Sequence, residues 1–283
     1  MRRYDIRIPV LILSLGVFEG CLSLDSNPSR LQGGLAQLSE GRPELAALAF
    51  KGILQDFPGH PEAIFNLAVA HALSGNNETS LALLDRSHRE GVDDEATTWT
   101  LRGYDYLRDG KVTMAIRNFK QALVTAPGYE TASIFLALAY TLELDLGAAD
   151  RVLTGVCGPA ADRALPSILR GYIAYRRGQF EQALRQLDRA RGSDTPPVVH
   201  YYEALSLYCL GRPAQARDAL DLYLQAMPAS PMGLYHRALA HFSAGSMEGA
   251  RRDLETLFQT TEDLKQLPME SLRTRGAALW ARL

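Results

Sequence analysis

The chain has 283 residues, of which 47% are hydrophobic and 22% charged, so it can bury a core and is not a disordered chain. Its formal net charge of −2 argues against a nucleic-acid binder, because such proteins rely on an excess of Lys and Arg. Three cysteines are too few for a disulfide scaffold. A mean hydropathy of −0.11 excludes a protein that crosses a membrane many times.

The N-terminus has the pattern of a secretory signal peptide. Three arginines among the first seven residues precede a run over residues 8–18 that is apolar except for Ser14, and a basic start before a short apolar run is typical of an export signal. The run is well below the ~20 residues that a membrane-spanning helix needs, and Glu19 ends it. Residues 1–20 are therefore predicted to be a signal peptide, with a buried helix as the alternative.

Gly20 and Cys21 follow the apolar run, and this arrangement resembles the lipobox of bacterial lipoproteins. The resemblance implies that Cys21 becomes the acylated first residue and that residues 21–26 form a short tether. Leu22 after the cysteine implies sorting to the outer membrane. We therefore expect an exported lipoprotein of the cell envelope, anchored in the outer membrane and facing the periplasm. The alternatives are an ordinary cleaved signal and a cytoplasmic adaptor.

A period of about 34 residues runs through the rest of the sequence. The units begin near Asn27, Pro61, Ala96, Glu130, Ala164, Pro197 and Pro231. Small residues recur at the eighth position, which holds Gly34, Ala68, Gly103, Ala137, Gly171, Ala204 and Ala238. Large apolar residues recur at the twenty-fourth position, which holds Phe50, Leu84, Phe119, Leu153, Leu187, Leu220 and Leu254.

The unit that begins at Ala96 resembles the tetratricopeptide repeat, because Trp99, Gly103, Tyr106, Ala115, Phe119 and Pro127 have the spacing of that family. The resemblance implies an all-α, right-handed superhelical solenoid of about seven helix-turn-helix repeats over residues 27–264. Residues 265–283 no longer fit the repeat. Leu272, Leu279 and Leu283 are at helical spacing there, with Trp280 beside them, which predicts a C-terminal capping helix.

The residue types that recur at fixed positions of the units have physical reasons. A small residue at the eighth position lets the two helices approach closely, and the large residue at the twenty-fourth is expected to fill the gap between neighbouring units. Glycine at the fifteenth position is expected to turn the chain between the helices, since it tolerates a positive φ. The fourth unit lacks this glycine. The turn glycines are Gly41, Gly75, Gly110, Gly178, Gly211 and Gly245.

No catalytic motif occurs in the sequence, so we predict no enzymatic reaction, cofactor or metal site. His71 and His241 are at the eleventh position of their units, where packing between helices is favoured over metal ligation. Cys157 and Cys209 are expected to be free and mostly buried, because their units are too far apart for a disulfide.

The tetratricopeptide resemblance implies that the first helices of successive units line a concave groove. Tyrosine concentrates at the groove positions of the later units, and its apolar ring and polar tip suit recognition surfaces. The candidate partner-binding residues are Tyr104, Arg108, Tyr172, Tyr175, Arg176, Tyr201, Tyr202, Tyr208, Tyr235 and Phe242. We expect them to bind an apolar or aromatic-bearing segment, with the arginines for an acidic group. Packing of these side chains between helices is the alternative.

The sequence therefore predicts a non-enzymatic scaffold for protein–protein interaction, held at a membrane by a lipid anchor. Its expected partner is another protein, such as a subunit of an envelope machine, and not a nucleic acid. One alternative is a pilotin-like lipoprotein that assembles a secretin or a type IV pilus machine. Another is an exported helical-repeat enzyme or ligand-binding protein. The fold alone does not decide among these.

Overall fold

The structure, a computed structural model, describes residues 28–89, 95–156, 164–192, 195–261 and 267–283. Fifteen α-helices and no strand occur in these ranges, and none of the helices is long and apolar enough to cross a membrane. The predicted signal peptide, the tether, Cys21 and Cys157 lie outside the described residues. The contacts divide the chain into two compact units, with the boundary between Cys157 and Gly158.

The N-terminal unit contains four helix pairs. They are α1 (Pro28–Ser39) with α2 (Pro43–Asp56), α3 (Pro61–Leu73) with α4 (Asn77–Arg89), α5 (Glu95–Arg108) with α6 (Val112–Thr125), and α7 (Glu130–Leu142) with α8 (Leu146–Thr154). Each helix packs against the next one, and the first helices of neighbouring pairs also touch.

The C-terminal unit contains three helix pairs and a final helix. They are α9 (Ala164–Arg176) with α10 (Phe180–Asp188), α11 (Pro197–Cys209) with α12 (Pro213–Ala226), α13 (Pro231–Ser243) with α14 (Met247–Thr261), and then α15 (Leu267–Trp280). Successive helices pack as they do in the N-terminal unit. The predicted all-α fold of helix-turn-helix repeats is therefore confirmed.

The two helices of a pair touch where the sequence has a small residue in the first helix. A Cβ atom built on Gly103 of α5 would lie 2.5 Å from the ring of Phe119 in α6. Phe119 is fully buried and also stacks on Phe135 of the next pair, with ring centroids 5.8 Å apart. The expectation for the twenty-fourth position was therefore incomplete, because its side chain packs within its own pair as well as between pairs.

The turns inside the pairs confirm the role of the glycines. The six glycines at the fifteenth position have φ between 70° and 83°, which is the left-handed region that glycine occupies without strain. In the fourth pair Leu144 takes this place with φ 63°. A non-glycine residue in this region costs roughly 1–2 kcal/mol, so α7 and α8 are joined by the most strained of these turns.

The final helix closes the hydrophobic end of the C-terminal unit. Helix α15 packs against α13 and α14, and Leu279, which is 4% exposed, joins the core cluster that contains Leu254 and Leu257. Trp280 meets Phe258 edge to face, with ring centroids 6.1 Å apart. Helix α15 thus packs its apolar side chains on α13 and α14, and its role as a cap of the repeats stays a prediction.

Two matched glycine substitutions test the close approach of the helices. We expect Gly103→Ala to lower the free energy of unfolding by about 1–3 kcal/mol, because the new methyl group overpacks against a buried ring. Gly33 also lies inside a helix, but nothing is within 4 Å of its Cβ position. Gly33→Ala should therefore raise the free energy of unfolding by up to about 1 kcal/mol, because alanine has a higher helix propensity than glycine.

The measurement is urea unfolding of both variants beside the wild type. If Gly103→Ala were as stabilising as Gly33→Ala, helix propensity and not close packing would govern the eighth position.

Candidate functional site

Three of the predicted groove tyrosines are buried, and the expectation that they face a partner is wrong. Tyr104 is 3% exposed, Tyr172 0% and Tyr202 3%. Tyr104 packs edge-on against Phe135, with ring centroids 5.7 Å apart, and Tyr172 packs against Tyr202 at 5.1 Å. These rings fill the space between consecutive first helices, so they hold the pairs together.

Arg108 has a structural role, contrary to the prediction that it binds an acidic group of a partner. Its guanidinium donates hydrogen bonds to the carbonyl oxygens of Ala72 and Leu73, which lie at the end of α3. It also lies 5.8 Å above the ring of Tyr104. The guanidinium thus adds a side-chain donor at the C-terminal end of α3, where the Ala72 carbonyl also accepts a hydrogen bond from the backbone N–H of Gly75, and its positive charge complements the helix dipole.

The other predicted aromatic residues form one surface of the C-terminal unit, which we call the aromatic face. Its members are half-buried side chains of the three first helices, namely Tyr175 of α9, Tyr201 and Tyr208 of α11, and Tyr235, His236 and Phe242 of α13. The sequence brings them together because they occupy the fifth, sixth and twelfth positions of their units.

Ring contacts connect the aromatic face across the three helices. Tyr175 lies 5.8 Å from the buried ring of Tyr202, which lies 5.4 Å from Tyr201. Tyr201 lies 5.6 Å from His236, and His236 lies 5.3 Å from Tyr235. These edge-to-face and tilted contacts are the arrangements that aromatic pairs favour, so the exposed rings are held by a buried aromatic base.

Polar tips of the aromatic face make hydrogen bonds within α13 and between α11 and α13. The Nδ1 atom of His236 lies 2.8 Å from the carbonyl oxygen of Met232. A carbonyl only accepts, so Nδ1 carries the proton. The hydroxyl oxygen of Tyr201 lies 3.1 Å from Nδ1 and can accept a hydrogen bond from the same N–H group. Farther along, the hydroxyls of Tyr208 and Ser243 are 3.0 Å apart. The face therefore offers fixed rings with hydroxyl groups at their edges.

Arg176 lies at the edge of this surface, as the sequence predicted. It is exposed, donates a hydrogen bond to the hydroxyl of Tyr172 and lies 5.6 Å above the same ring. Its position over the ring restrains the guanidinium. Whether it binds a partner stays a prediction.

Two other expectations concern residues in the same unit. Cys209 is exposed, so the expectation of a buried thiol is wrong. The reason is that Cys209 is the last residue of α11. His241 packs between helices as predicted, since its ring lies 2.5 Å from where a Cβ atom on Gly249 would be. Burial lowers the pKa of this imidazole and keeps it neutral at pH 7.

Two observations concern the possibility of a metal site or a ligand cavity in the described residues. No group of three or more His, Cys, Asp or Glu residues in these ranges could hold a metal ion. A cavity of about 350 Å³ lies against α11 and α12 and is bordered by Arg191, which follows α10. Its two acids are engaged in ion pairs, since Glu203 lies 2.5 Å from Arg191 and Asp218 lies 2.6 Å from Arg217.

Asp105 of α5 is a buried acid that the sequence analysis missed. It is fully buried, and neither carboxyl oxygen has a hydrogen-bond partner within the described chain. Burial raises its pKa from 3.8 to about 7, although the nearby Ser80 hydroxyl and Arg108 act in the opposite direction. A polar residue in a helical sequence is expected to be exposed, so the sequence does not reveal that Asp105 is buried. Only the packing of α4 on α5 in the structure shows this. It faces no second buried acid, because Asp109 is exposed, and it is therefore no catalytic dyad.

The fold defines a helical-repeat protein whose C-terminal unit carries the aromatic face. Two sequence models described as tetratricopeptide repeat match residues 37–103, 168–231 and 203–259, which together are more than half of the chain. The chain belongs to the tetratricopeptide repeat family. A search of curated proteins finds no match.

Solved structures support the same fold. A tetratricopeptide repeat protein from Parabacteroides merdae is 13% identical with a TM-score of 0.60, and the match covers 88% of this chain and 98% of that one. PilW, described as a type IV pilus biogenesis factor, is 19% identical with a TM-score of 0.58, over 67% and 87% of the chains. The pilF protein of Pseudomonas aeruginosa is 20% identical with a TM-score of 0.55, over 66% and 85%. At these identities the similarity concerns the fold.

Asp105 gives stability a pH dependence with a definite sign. Its pKa is higher in the folded state, so the contribution of Asp105 is fully favourable below pH 3.8 and is lost as the pH rises through about 7. The loss amounts to up to about 4 kcal/mol. We expect Asp105→Asn to be more stable than the wild type at pH 8 and to depend less on pH between pH 5 and pH 8.

The measurement is urea unfolding at a series of pH values. Asp109→Asn is the control, because hydrogen bonds from Asn77 and Lys111 lower the pKa of that exposed carboxyl. A wild type whose stability does not fall between pH 5 and pH 8 would contradict the assignment.

Proposed function

We propose that the protein is a non-enzymatic scaffold that binds a segment of another protein on its aromatic face. The observation that carries the proposal is the set of half-buried rings on α9, α11 and α13, which contacts through the buried Tyr202 connect across the three helices. Aromatic side chains with polar tips are enriched at protein interfaces because they supply large contact areas and hydrogen bonds together. Membership of the tetratricopeptide family, whose members are typically scaffolds, supports the absence of a reaction.

We further propose that the scaffold is an envelope lipoprotein, exported and acylated at Cys21, with its repeats in the periplasm at the outer membrane. The support is the basic and apolar N-terminal pattern followed by Gly20 and Cys21. One lipid chain gives only marginal attachment and two give stable attachment, so acylation of both the sulfur and the amine would hold the protein at the membrane surface.

A second candidate is a pilotin-like lipoprotein that assists assembly of a secretin or a type IV pilus machine. The similarity to PilW, which is described as a pilus biogenesis factor, favours this candidate, and it is a special case of the scaffold function. An exported enzyme or ligand-binding protein has less support, because the two acids that line the cavity at α11 and α12 are neutralised by arginines.

Capture of the partner from membranes tests the scaffold function. The full chain is immunoprecipitated from detergent-solubilised membranes and compared with the double variant Tyr175→Ala/Tyr235→Ala. We expect the recovered partner to fall at least about tenfold, because two half-buried rings of the face are removed and such anchors contribute most of the binding energy.

A matched control is Tyr106→Ala/Tyr140→Ala, which removes two half-buried tyrosines of the N-terminal unit. This control should leave the capture unchanged, and circular dichroism should show equal helicity for all three proteins. Undiminished capture by the aromatic-face variant would remove the proposed binding surface.

Fractionation tests the anchor. Cys21→Ser should move the protein from the membrane fraction to the soluble fraction, because serine provides no thiol for acylation. Cys209→Ser is the control, since Cys209 is an exposed thiol that should not affect attachment. Recovery of the exported wild-type protein entirely in the soluble fraction would disprove the lipoprotein proposal and leave the scaffold proposal in place.

A further inference from the structure

Free positive charges outnumber free negative charges around the aromatic face. The helices α9, α11 and α13 contain a single carboxylate, that of Glu203. Glu203 accepts a hydrogen bond of 2.5 Å from Arg191 and lies 3.6 Å from the ring nitrogen of His200. The first helices of this unit therefore present no free negative charge to a partner.

One arginine of these helices is neutralised by the second helices. Arg237 donates two hydrogen bonds to Asp253, of 2.9 Å and 2.6 Å, and one of 2.8 Å to Asp221. Side chains at the seventh position thus point toward α12 and α14, where acids receive them. Arg237 does not contribute its charge to the aromatic face.

Three other arginines border the aromatic face, and none has an acidic partner in the part of the chain that the structure describes. Arg176 lies on the α9 side. Arg282, which follows α15, lies 4.9 Å above the ring of Phe242. Arg275 of α15 lies near Tyr235, where its positive charge partly opposes the rise that burial produces in the pKa of the hydroxyl. All three arginines are exposed.

We propose that the segment bound on the aromatic face is an acidic peptide, whose carboxylates pair with Arg176, Arg275 and Arg282 while its apolar side chains contact the rings. The proposal rests on the proposed function and adds the chemistry of the partner. Arginine offers a planar fork that binds a carboxylate with two hydrogen bonds, and guanidinium groups already held over rings lose less freedom on binding. The C-terminal helix, which the sequence identifies only as a cap, thereby becomes part of the binding site.

A nucleic acid is the competing ligand, since bases stack on aromatic rings and phosphates bind arginine. Three observations favour the peptide. The net charge of the chain is −2, the free cations border the rings at two sides instead of forming a continuous basic track, and the rings of Tyr175, Tyr201 and Tyr235 each contact another ring of the protein. Stacking of successive bases needs ring faces that are open.

Fluorescence anisotropy with three labelled peptides tests the inference on the full chain. The acidic probe contains three copies of Ser-Glu-Glu-Phe, and the neutral and basic probes carry Gln or Lys in place of Glu. We expect the acidic peptide to bind about tenfold more tightly than the neutral one at about 0.1 M salt, with the basic peptide weakest. The preference should shrink at about 1 M salt, where charges are screened beyond about 3 Å.

The double variant Arg176→Gln/Arg282→Gln should lose the preference and retain the affinity for the neutral peptide. Arg252→Gln is the matched control, since this exposed arginine of α14 pairs only weakly with Glu248, at 3.5 Å, and should bind as the wild type does. Equal or tighter binding of the neutral or basic peptide would overturn the acidic assignment and leave the scaffold function intact.

Two further outcomes also count against the inference. A single-stranded oligothymidylate that competes more strongly than the acidic peptide would assign the face to nucleic acid. Failure of all three peptides to bind would overturn the acidic assignment as well, and the membrane capture with Tyr175→Ala/Tyr235→Ala would then decide separately whether the face binds a protein.

Discussion

The fold depends on one contact inside each helix pair, in which a small residue of the first helix receives a large side chain of the second. Where the small residue is Gly34, Gly103 or Gly171, the large side chain lies within 2.7 Å of the position that a Cβ atom would occupy. Where it is alanine, as at Ala68, its methyl group is fully buried. Because this contact recurs in successive pairs, the first helices in each unit have a common orientation, and residues at equal positions lie side by side.

This regularity explains why the fold could be predicted from the sequence. Contacts in a repeat protein are made within a pair or with the next pair, so a column of similar residues records a recurring contact. Gly41 and its equivalents reveal the turns because a left-handed conformation selects glycine. The fourth turn shows where the pattern ends: Leu144 adopts the same conformation without the favourable residue. The packing contributed by α7, whose residues from Ile134 to Ala139 are all buried, maintains that turn despite its strain.

The binding surface could be predicted only in part. The repeat register placed Tyr175, Tyr201, Tyr208 and Tyr235 on one surface, but it could not separate them from Tyr172 and Tyr202, which are buried. The exposure of each tyrosine depends on which residue of the next helix pair packs against it, and that residue varies from one repeat to the next. Arg108 was misassigned because its partners are backbone carbonyls of α3, which the sequence does not distinguish. Arg282 was missed because it follows the last repeat, where no register applies.

The buried tyrosines hold the half-buried tyrosines in place, and this suits the half-buried rings to recognition. Tyr202 touches Tyr172, Tyr175 and Tyr201, so two exposed rings rest on a ring that cannot move without disrupting the contacts between α9 and α11. A side chain that is already fixed loses little conformational entropy when a partner binds. A tyrosine also has only two rotatable side-chain bonds to restrict. The same rings that hold consecutive pairs together therefore also pre-organise the surface beside them, and a partner that fits this surface gains contact area without having to order it.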